Sequence, residues 1–181
     1  MRIIKRGLRM KLEKVSELDT RLFYWFNKFM SGRNCDHIRY LSKTGDGHLY
    51  LILGLVLFYA DSHHGQLFFY TAIMAYTLEI PLYLILKQYF KRPRPAMKLM
   101  NYKALITPSD KFSLPSGHTA AAFLMATIVS YFYPSYALIA LPWATLVGLS
   151  RILLGVHYPT DVLAGTLLGV SIAGLSIFLL A

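Results

Sequence analysis

The sequence predicts an all-α, integral-membrane helical bundle of five to six transmembrane helices, opened by an N-terminal amphipathic helix lying in the interface. Three observations carry this expectation. Hydrophobic residues fill 55% of the 181 positions, and the mean hydropathy of +0.43 is high for a water-soluble domain. Several apolar runs approach the roughly 20 residues that cross a bilayer. No stretch shows the alternation of a strand, and irregular backbone is excluded from lipid unless it is buried in protein or lines a cavity.

A single domain is expected over 1–181, in three parts. Residues 1–21 are a basic tail, with Arg2, Lys5, Arg6, Arg9, Lys11, Lys14 and Arg21 against Glu13, Glu17 and Asp19. No apolar core with a small-residue cleavage site follows, so the tail reads as a solvated or headgroup-binding arm rather than a signal peptide. Residues 22–42 mix Phe23, Trp25, Phe26 and Phe29 with Lys28, Arg33, Asp36 and Arg39. That mixture suits an interfacial helix, with rings in lipid and charges among headgroups. The bundle occupies 48–181. Its spans are expected at about 48–60, 66–86, 116–133, 136–154 and 160–181. They are separated by the polar loop Asp61-Ser62-His63-His64-Gly65, the long connection 87–114, the turn at Pro134-Ser135 and the break at 155–159. In the last span Asp161, Gly165, Gly169 and Ala173 recur every four residues, so a neighbouring helix can approach that face closely.

The formal charge is +10, with 19 Lys and Arg against 9 Asp and Glu. Beside apolar spans, this excess points to anionic lipid headgroups or an anionic substrate. Nucleic acid is disfavoured, because the cations follow no nucleic-acid-binding pattern. The single cysteine, Cys35, allows no intramolecular disulfide.

Polar residues concentrate at span edges: Lys87 to Pro95, then Pro115-Ser116-Gly117-His118, then Ser150-Arg151 with His157 and Asp161. Alternating the spans places all of these edges on one side of the membrane. Ser116 is a candidate N-cap, Gly117 lets a ligand approach the backbone, and Pro159 suits a first helical turn. Helix N-termini bind anions. With Lys87, Arg94 and Arg151 they form an electropositive cup that suits phosphate. His157 lies one helical turn before Asp161, which can hold one ring nitrogen while the other attacks. His118 is placed to donate a proton to a leaving group. Zinc ligation by the two histidines and the acid is the competing reading, but the neighbouring cations would repel a dication.

Other polar residues carry weaker expectations. Glu79, inside a span, steadies Lys87 or Arg94 or bonds a neighbouring helix. Ser150 is a possible support. Lys91, Arg92, Lys98, Lys103 and Lys111 hold headgroups or are solvated. Asp46 and Asp110 read as turn residues, and His63-His64 as a solvated pair on the far side.

These residues resemble the three-part signature of the type 2 phosphatidic acid phosphatase superfamily. It reads here as Lys87, six residues, Arg94-Pro95; then Pro115-Ser116-Gly117-His118; then Ser150-Arg151, five residues, His157, three residues, Asp161. The resemblance implies a membrane lipid phosphatase. His157 would be the nucleophile forming a phosphohistidine, Asp161 its orienting acid, and His118 the acid that later activates water. Lys87, Arg94, Ser116, Gly117 and Arg151 would bind the phosphoryl oxygens, with no metal or other cofactor. Among its members the chain looks like the undecaprenyl pyrophosphate phosphatases. The alternatives are a phosphatidylglycerophosphate or phosphatidic acid phosphatase, a lipid A phosphatase, or a non-enzymatic binder of anionic lipids. The expected location is a bacterial cytoplasmic membrane with the site facing outward. Loop cations counted by the positive-inside rule favour the opposite side if 22–42 does not cross.

Overall fold

A computed structural model describes residues 2–28, 35–100, 102–108 and 110–181, with side chains of the first helix from residue 13 onward. Its named elements are helical: α1 (Arg2–Lys28), α2 (Asp36–Lys43), α3 (Gly47–Ala60), α4 (Gly65–Phe90), a short α5 (Pro95–Lys98), α6 (Gly117–Phe132), α7 (Ala137–Leu153) and α8 (Pro159–Leu180). A 3-10 turn over Pro134–Tyr136 leads into α7. Among the described residues, three segments are long and apolar enough to cross a membrane: Gly65–Phe90, Pro134–Leu153 and Pro159–Leu180. The helices α3 and α6 are shorter and apolar. Each of the five apolar runs in the sequence therefore corresponds to one helix. The second extends further than expected, to Phe90. It stops where Lys91 turns left-handed (φ 47°) and the Pro93 and Pro95 segment begins.

Packing centres on α6, which lies against α8, α7 and α4. Gly165 and Gly169 press α8 onto it: a Cβ on Gly169 would stand 2.2 Å from the Ala120 carbonyl oxygen. The central core is Tyr50, Phe68, Leu124, Met125, Ile128, Phe132 and Ile172, contributed by α3, α4, α6 and α8. At the end of the bundle remote from the three polar clusters, Asp61 accepts a hydrogen bond from Tyr133 (2.8 Å) and from the N–H groups of His63 and His64. At the cluster end, Gly155 (φ 79°) turns the chain out of α7. A Cβ there would meet the Tyr102 hydroxyl at 2.0 Å, so both conformation and space require glycine.

The N-terminal region differs from the expected division. No break occurs at residues 21–22, because α1 runs through without proline or a capping residue to stop it. Residues 29–34 of the expected interfacial helix lie outside the described residues, and α2 is a separate helix from Asp36. Asp19, Phe23 and Asn27 recur every four residues and turn one face of α1 onto the bundle. Phe23 packs on Ile152 and Tyr158, and Asn27 donates to the Ile152 carbonyl at 3.1 Å. Leu18, Leu22 and Trp25 on other faces are exposed. Both the end of α1 and all of α2 therefore meet the cluster end of the bundle.

Candidate active site

The three clusters converge on a cleft of about 220 Å3. Lys87 arrives on the last turn of α4, Arg94 from the extended segment before α5, and Gly117 with His118 from the first turn of α6. Arg151 comes from the last turn of α7, and His157 from the link into α8. Helix termini leave backbone N–H and C=O groups without intrahelical partners, so polar side chains and a polar ligand can pair with them there. Lys87, Arg94, Arg151 and His157 are all buried.

His157 is enclosed. Its Nε2 faces Arg94 Nη1 at 3.3 Å, and its Nδ1 faces Asp161 Oδ2 at 3.6 Å, an ion-pair rather than a hydrogen-bond distance. Asp161 is fully buried. Its Oδ2 accepts the Tyr158 N–H at 2.8 Å, closing the first turn of α8 onto itself. Burial pushes the imidazole pKa down to about 4, against the opposing pull of Asp161 and with help from Arg94 and Arg151. The ring is therefore neutral near pH 7, with nucleophilic capacity at Nε2.

On the opposite wall His118 Nε2 lies 2.9 Å from Asp46 Oδ1. The first-turn N–H groups of α6 receive no side-chain cap. Ser116 occupies the N-cap position, but its Oγ accepts from Thr119 Oγ1 at 2.8 Å. The Ser116 N–H donates to the Asp161 carbonyl at 3.0 Å, which ties the starts of α6 and α8 together. Arg151 donates to Ser42 Oγ at 2.5 Å, while its Nε makes no hydrogen bond. Ser150 turns into its own helix, donating to the Val147 carbonyl at 2.6 Å, so it stands outside the cleft.

Several expectations about supporting residues change. Glu79 lines the cleft and is buried, yet its Oε1 has no hydrogen-bond partner and it makes none to Lys87 or Arg94. Asp110 does that work instead. It accepts from Lys87 Nζ at 2.6 Å, Arg94 Nη2 at 2.8 Å and the Tyr83 hydroxyl at 3.0 Å, and Arg94 Nε reaches its carbonyl at 3.0 Å. Burial pushes the Asp110 carboxyl up, but the bonds and charges of Lys87 and Arg94 outweigh this and hold it at about 2. Asp110 and Asp46 are thus ion-pair partners in the cleft rather than plain turn residues.

Arg92 is not a headgroup-facing cation either. It donates to Asp161 Oδ1 at 2.6 Å and to Thr160 Oγ1 at 2.7 Å, and it bonds Asp19 of α1. Lys98 likewise turns to Ser16 Oγ at 2.8 Å. Alternation would have flagged Asp46, which precedes a helix starting at the cluster end, and Asp110 shares a loop with the cations. Asp19 had no local signal, being one of three acids in a basic helix.

The sequence pattern of the PAP2 superfamily matches residues 65–180. Three relatives bracket the chain. A bacitracin transport permease protein, BcrC, of Bacillus licheniformis is 34% identical over 67% of this chain and 60% of its own length. Phosphatidylglycerophosphatase B of Bacillus subtilis is 31% identical over 80% of this chain and 70% of that one. An undecaprenyl-diphosphatase of Sulfolobus acidocaldarius is 30% identical over 76% and 66%. Among solved structures, the crystal structure of Aquifex aeolicus LpxE matches with a TM-score of 0.78 and 32% identity, over 89% of this chain and 95% of that one.

Proposed function

The chain belongs to the PAP2 superfamily, and from that premise we propose that it is an integral-membrane phosphatase removing the terminal phosphate of a lipid phosphate or diphosphate. The observation that carries the reading is the His157 ring, held between Asp161 and Arg94 and facing a cleft with Lys87, Arg151 and His118.

The reaction follows from that arrangement. Lys87, Arg94, Arg151 and the uncapped first-turn N–H groups of α6 from Gly117 onward hold the phosphoryl oxygens and stabilise charge that builds during transfer, while Ser116, its N–H bonded to the Asp161 carbonyl, fixes the start of α6. His157 Nε2 attacks phosphorus, and the bond to the lipid oxygen breaks. Asp161 stabilises the imidazolium through Nδ1 as the phosphohistidine forms. His118, ion-paired with Asp46, gives a proton to the leaving oxygen. Neutral His118 then takes a proton from water, which attacks phosphorus and frees His157 and inorganic phosphate. The chain's own side chains and backbone N–H groups carry this scheme, so chelators should leave the rate unchanged.

Undecaprenyl pyrophosphate is the substrate favoured. An apolar cavity of about 770 Å3 between α3, α6 and α7 is lined by Leu49, Tyr50, Leu53, Leu57, Met125 and Trp143. It begins at Thr44, next to Gly45 of the cleft. This supports a single long hydrocarbon chain lying beside a phosphate head. We read α3, α4, α6, α7 and α8 as five membrane spans, and α1 as an interfacial helix with Leu18, Leu22 and Trp25 in lipid. The outward orientation common in the family's bacterial members then stands against the cation count, since α1 joins the loop lysines at the site end. An impermeant thiol reagent on a cysteine placed beside Lys103, with Cys35 replaced by serine, decides the side.

Purified protein in detergent should release phosphate from undecaprenyl diphosphate faster than from phosphatidylglycerophosphate, and His157→Ala should abolish release. Equal, slow release from wild type and His157→Ala would refute the reading. Faster turnover of the glycerophospholipid would shift it to the alternative substrate.

A further inference from the structure

The Asp161 carboxylate carries two assignments. Its Oδ2 faces His157 and accepts the Tyr158 N–H, whereas Oδ1 is taken entirely from outside α8, by Arg92. Arg92 is itself fixed on several sides. Nη1 also reaches Thr160 Oγ1, Nη2 bonds Asp19, and the guanidinium lies 4.4 Å from the centre of the Tyr158 ring. Asp19 is 1% exposed although it sits on the surface helix α1. It is anchored in turn by the Thr160 N–H at 3.0 Å and the Thr160 hydroxyl at 2.5 Å. A planar guanidinium between two carboxylates defines orientation as well as charge. Arg92 does not line the cleft, so it does not touch the phosphate site.

We propose that Arg92 and Asp19 are positioning residues for the phosphoryl-transfer step: together they lock the plane of the Asp161 carboxylate so that Oδ2 meets His157, which makes α1 part of the catalytic unit. The proposal rests on the phosphatase reading above. Without Arg92, Oδ1 loses its fixed partner and the carboxylate can turn about its Cβ–Cγ bond, so His157 no longer faces a carboxylate oxygen at a fixed position. Without Asp19, Arg92 keeps its charge but loses the bond that aims it. Outward displacement of α1 from the bundle would have the same effect, because Asp19 reaches Arg92 only while Phe23 and Asn27 hold that helix down.

The test uses the full chain in detergent with farnesyl diphosphate as a short, soluble probe. Arg92→Ala should lower kcat by about 100-fold, the loss typical of an ångström-scale misplacement, while KM changes less than about threefold because phosphate contacts remain. Millimolar methylguanidinium should restore part of the rate. Asp19→Ala should lower kcat about 10-fold, and the Arg92→Ala/Asp19→Ala double variant should lose no more than Arg92→Ala, as for residues acting as one unit. Thermal melting and size-exclusion profiles read folding for each variant. If Arg92→Ala is too unstable to study, Arg92→Lys, which keeps the charge but not the fork, should still show the kcat loss at unchanged KM. A raised KM with unchanged kcat, or kcat losses that only track the folded fraction, would overturn the proposal. Failure of the phosphatase reading looks different: wild type itself would then not exceed His157→Ala.

Discussion

Replacing Gly165 by alanine tests whether the site depends on how closely α8 approaches α6. A Cβ at this position would lie 2.5 Å from the Ser116 carbonyl oxygen, 3.2 Å from Thr119 Cβ and 3.3 Å from the Ala120 nitrogen. Ordinary contact begins near 3.4 Å, so one helix must yield by about 0.9 Å against backbone that cannot rotate away. The oxygen it meets belongs to Ser116, the N-cap residue just before α6. That residue's N–H bonds the Asp161 carbonyl, one turn from Gly165. The displacement therefore falls between Ser116-Gly117-His118 on one helix and His157-Asp161 on the other. Overpacking of this kind costs about 1–3 kcal/mol of stability, and misplacing reacting groups by about 1 Å costs about 100-fold in rate. Thermal unfolding in detergent and kcat on farnesyl diphosphate measure the two effects. Gly174→Ala is the internal control, because nothing lies within 4 Å of its added carbon, and it should keep both melting temperature and rate. A Gly165→Ala enzyme with wild-type kcat and melting temperature would refute the reasoning.

Two further outcomes are expected. His157 has its pKa lowered to about 4 by burial, so it stays unprotonated as pH falls below the usual histidine range. The acid limb of kcat/KM due to His157, the proposed nucleophile, should sit near pH 4 rather than 6.5. The unfolded chain binds this proton first, so stability falls as pH drops from 6.5 towards 4. An acid limb near 6.5 in the pH dependence of phosphohistidine trapping on the wild-type chain would contradict this. Asp110 is charged through the working range and offsets part of the charge of Lys87 and Arg94. In Asp110→Asn, inorganic phosphate should inhibit about 10-fold more tightly, equivalent to about 1.4 kcal/mol of added attraction. An unchanged inhibition constant would show that Asp110 does not compete with phosphate.

What sequence could disclose here depended on range. Apolar runs announced the five bundle helices because a hydrophobic helix is a local property, and alternation of their directions brought Lys87, His118, Arg151 and His157 to one end. Ion-pair partners were hidden because they join distant segments: Lys87 to Asp110, and Arg92 to Asp19, 73 positions away. The Arg-Pro-Arg-Pro stretch is instructive. In extended backbone, residues two apart share a face, yet Arg92 and Arg94 diverge. Arg94 turns to Asp110 and His157, Arg92 to Asp161 and Asp19. The left-handed Lys91 and the Arg92–Ser113 backbone hydrogen bond shape this segment and leave no local sequence signal. Ser150 turns from the cleft for an ordinary reason: a serine near a helix end often bonds its own preceding turn. The first helix was obscured because a basic amphipathic pattern fits a solvated arm as well as a docked helix, and it is the burial of Asp19 and Phe23 and the reach of Asn27 to Ile152 that distinguish them.

The matched segment, residues 65–180, carries every signature residue but not everything those residues hold. Arg151 bonds Ser42, His118 bonds Asp46, and Arg92 bonds Asp19. Three of the groups on which the clustered charges lean thus come from α1, from α2 and from the residue just before α3. Grafted alone onto another scaffold, the signature segment would carry its charges without these counterweights, and the recipient would have to supply a hydroxyl and two carboxylates at the same three positions. The portable unit is larger than the recognisable one.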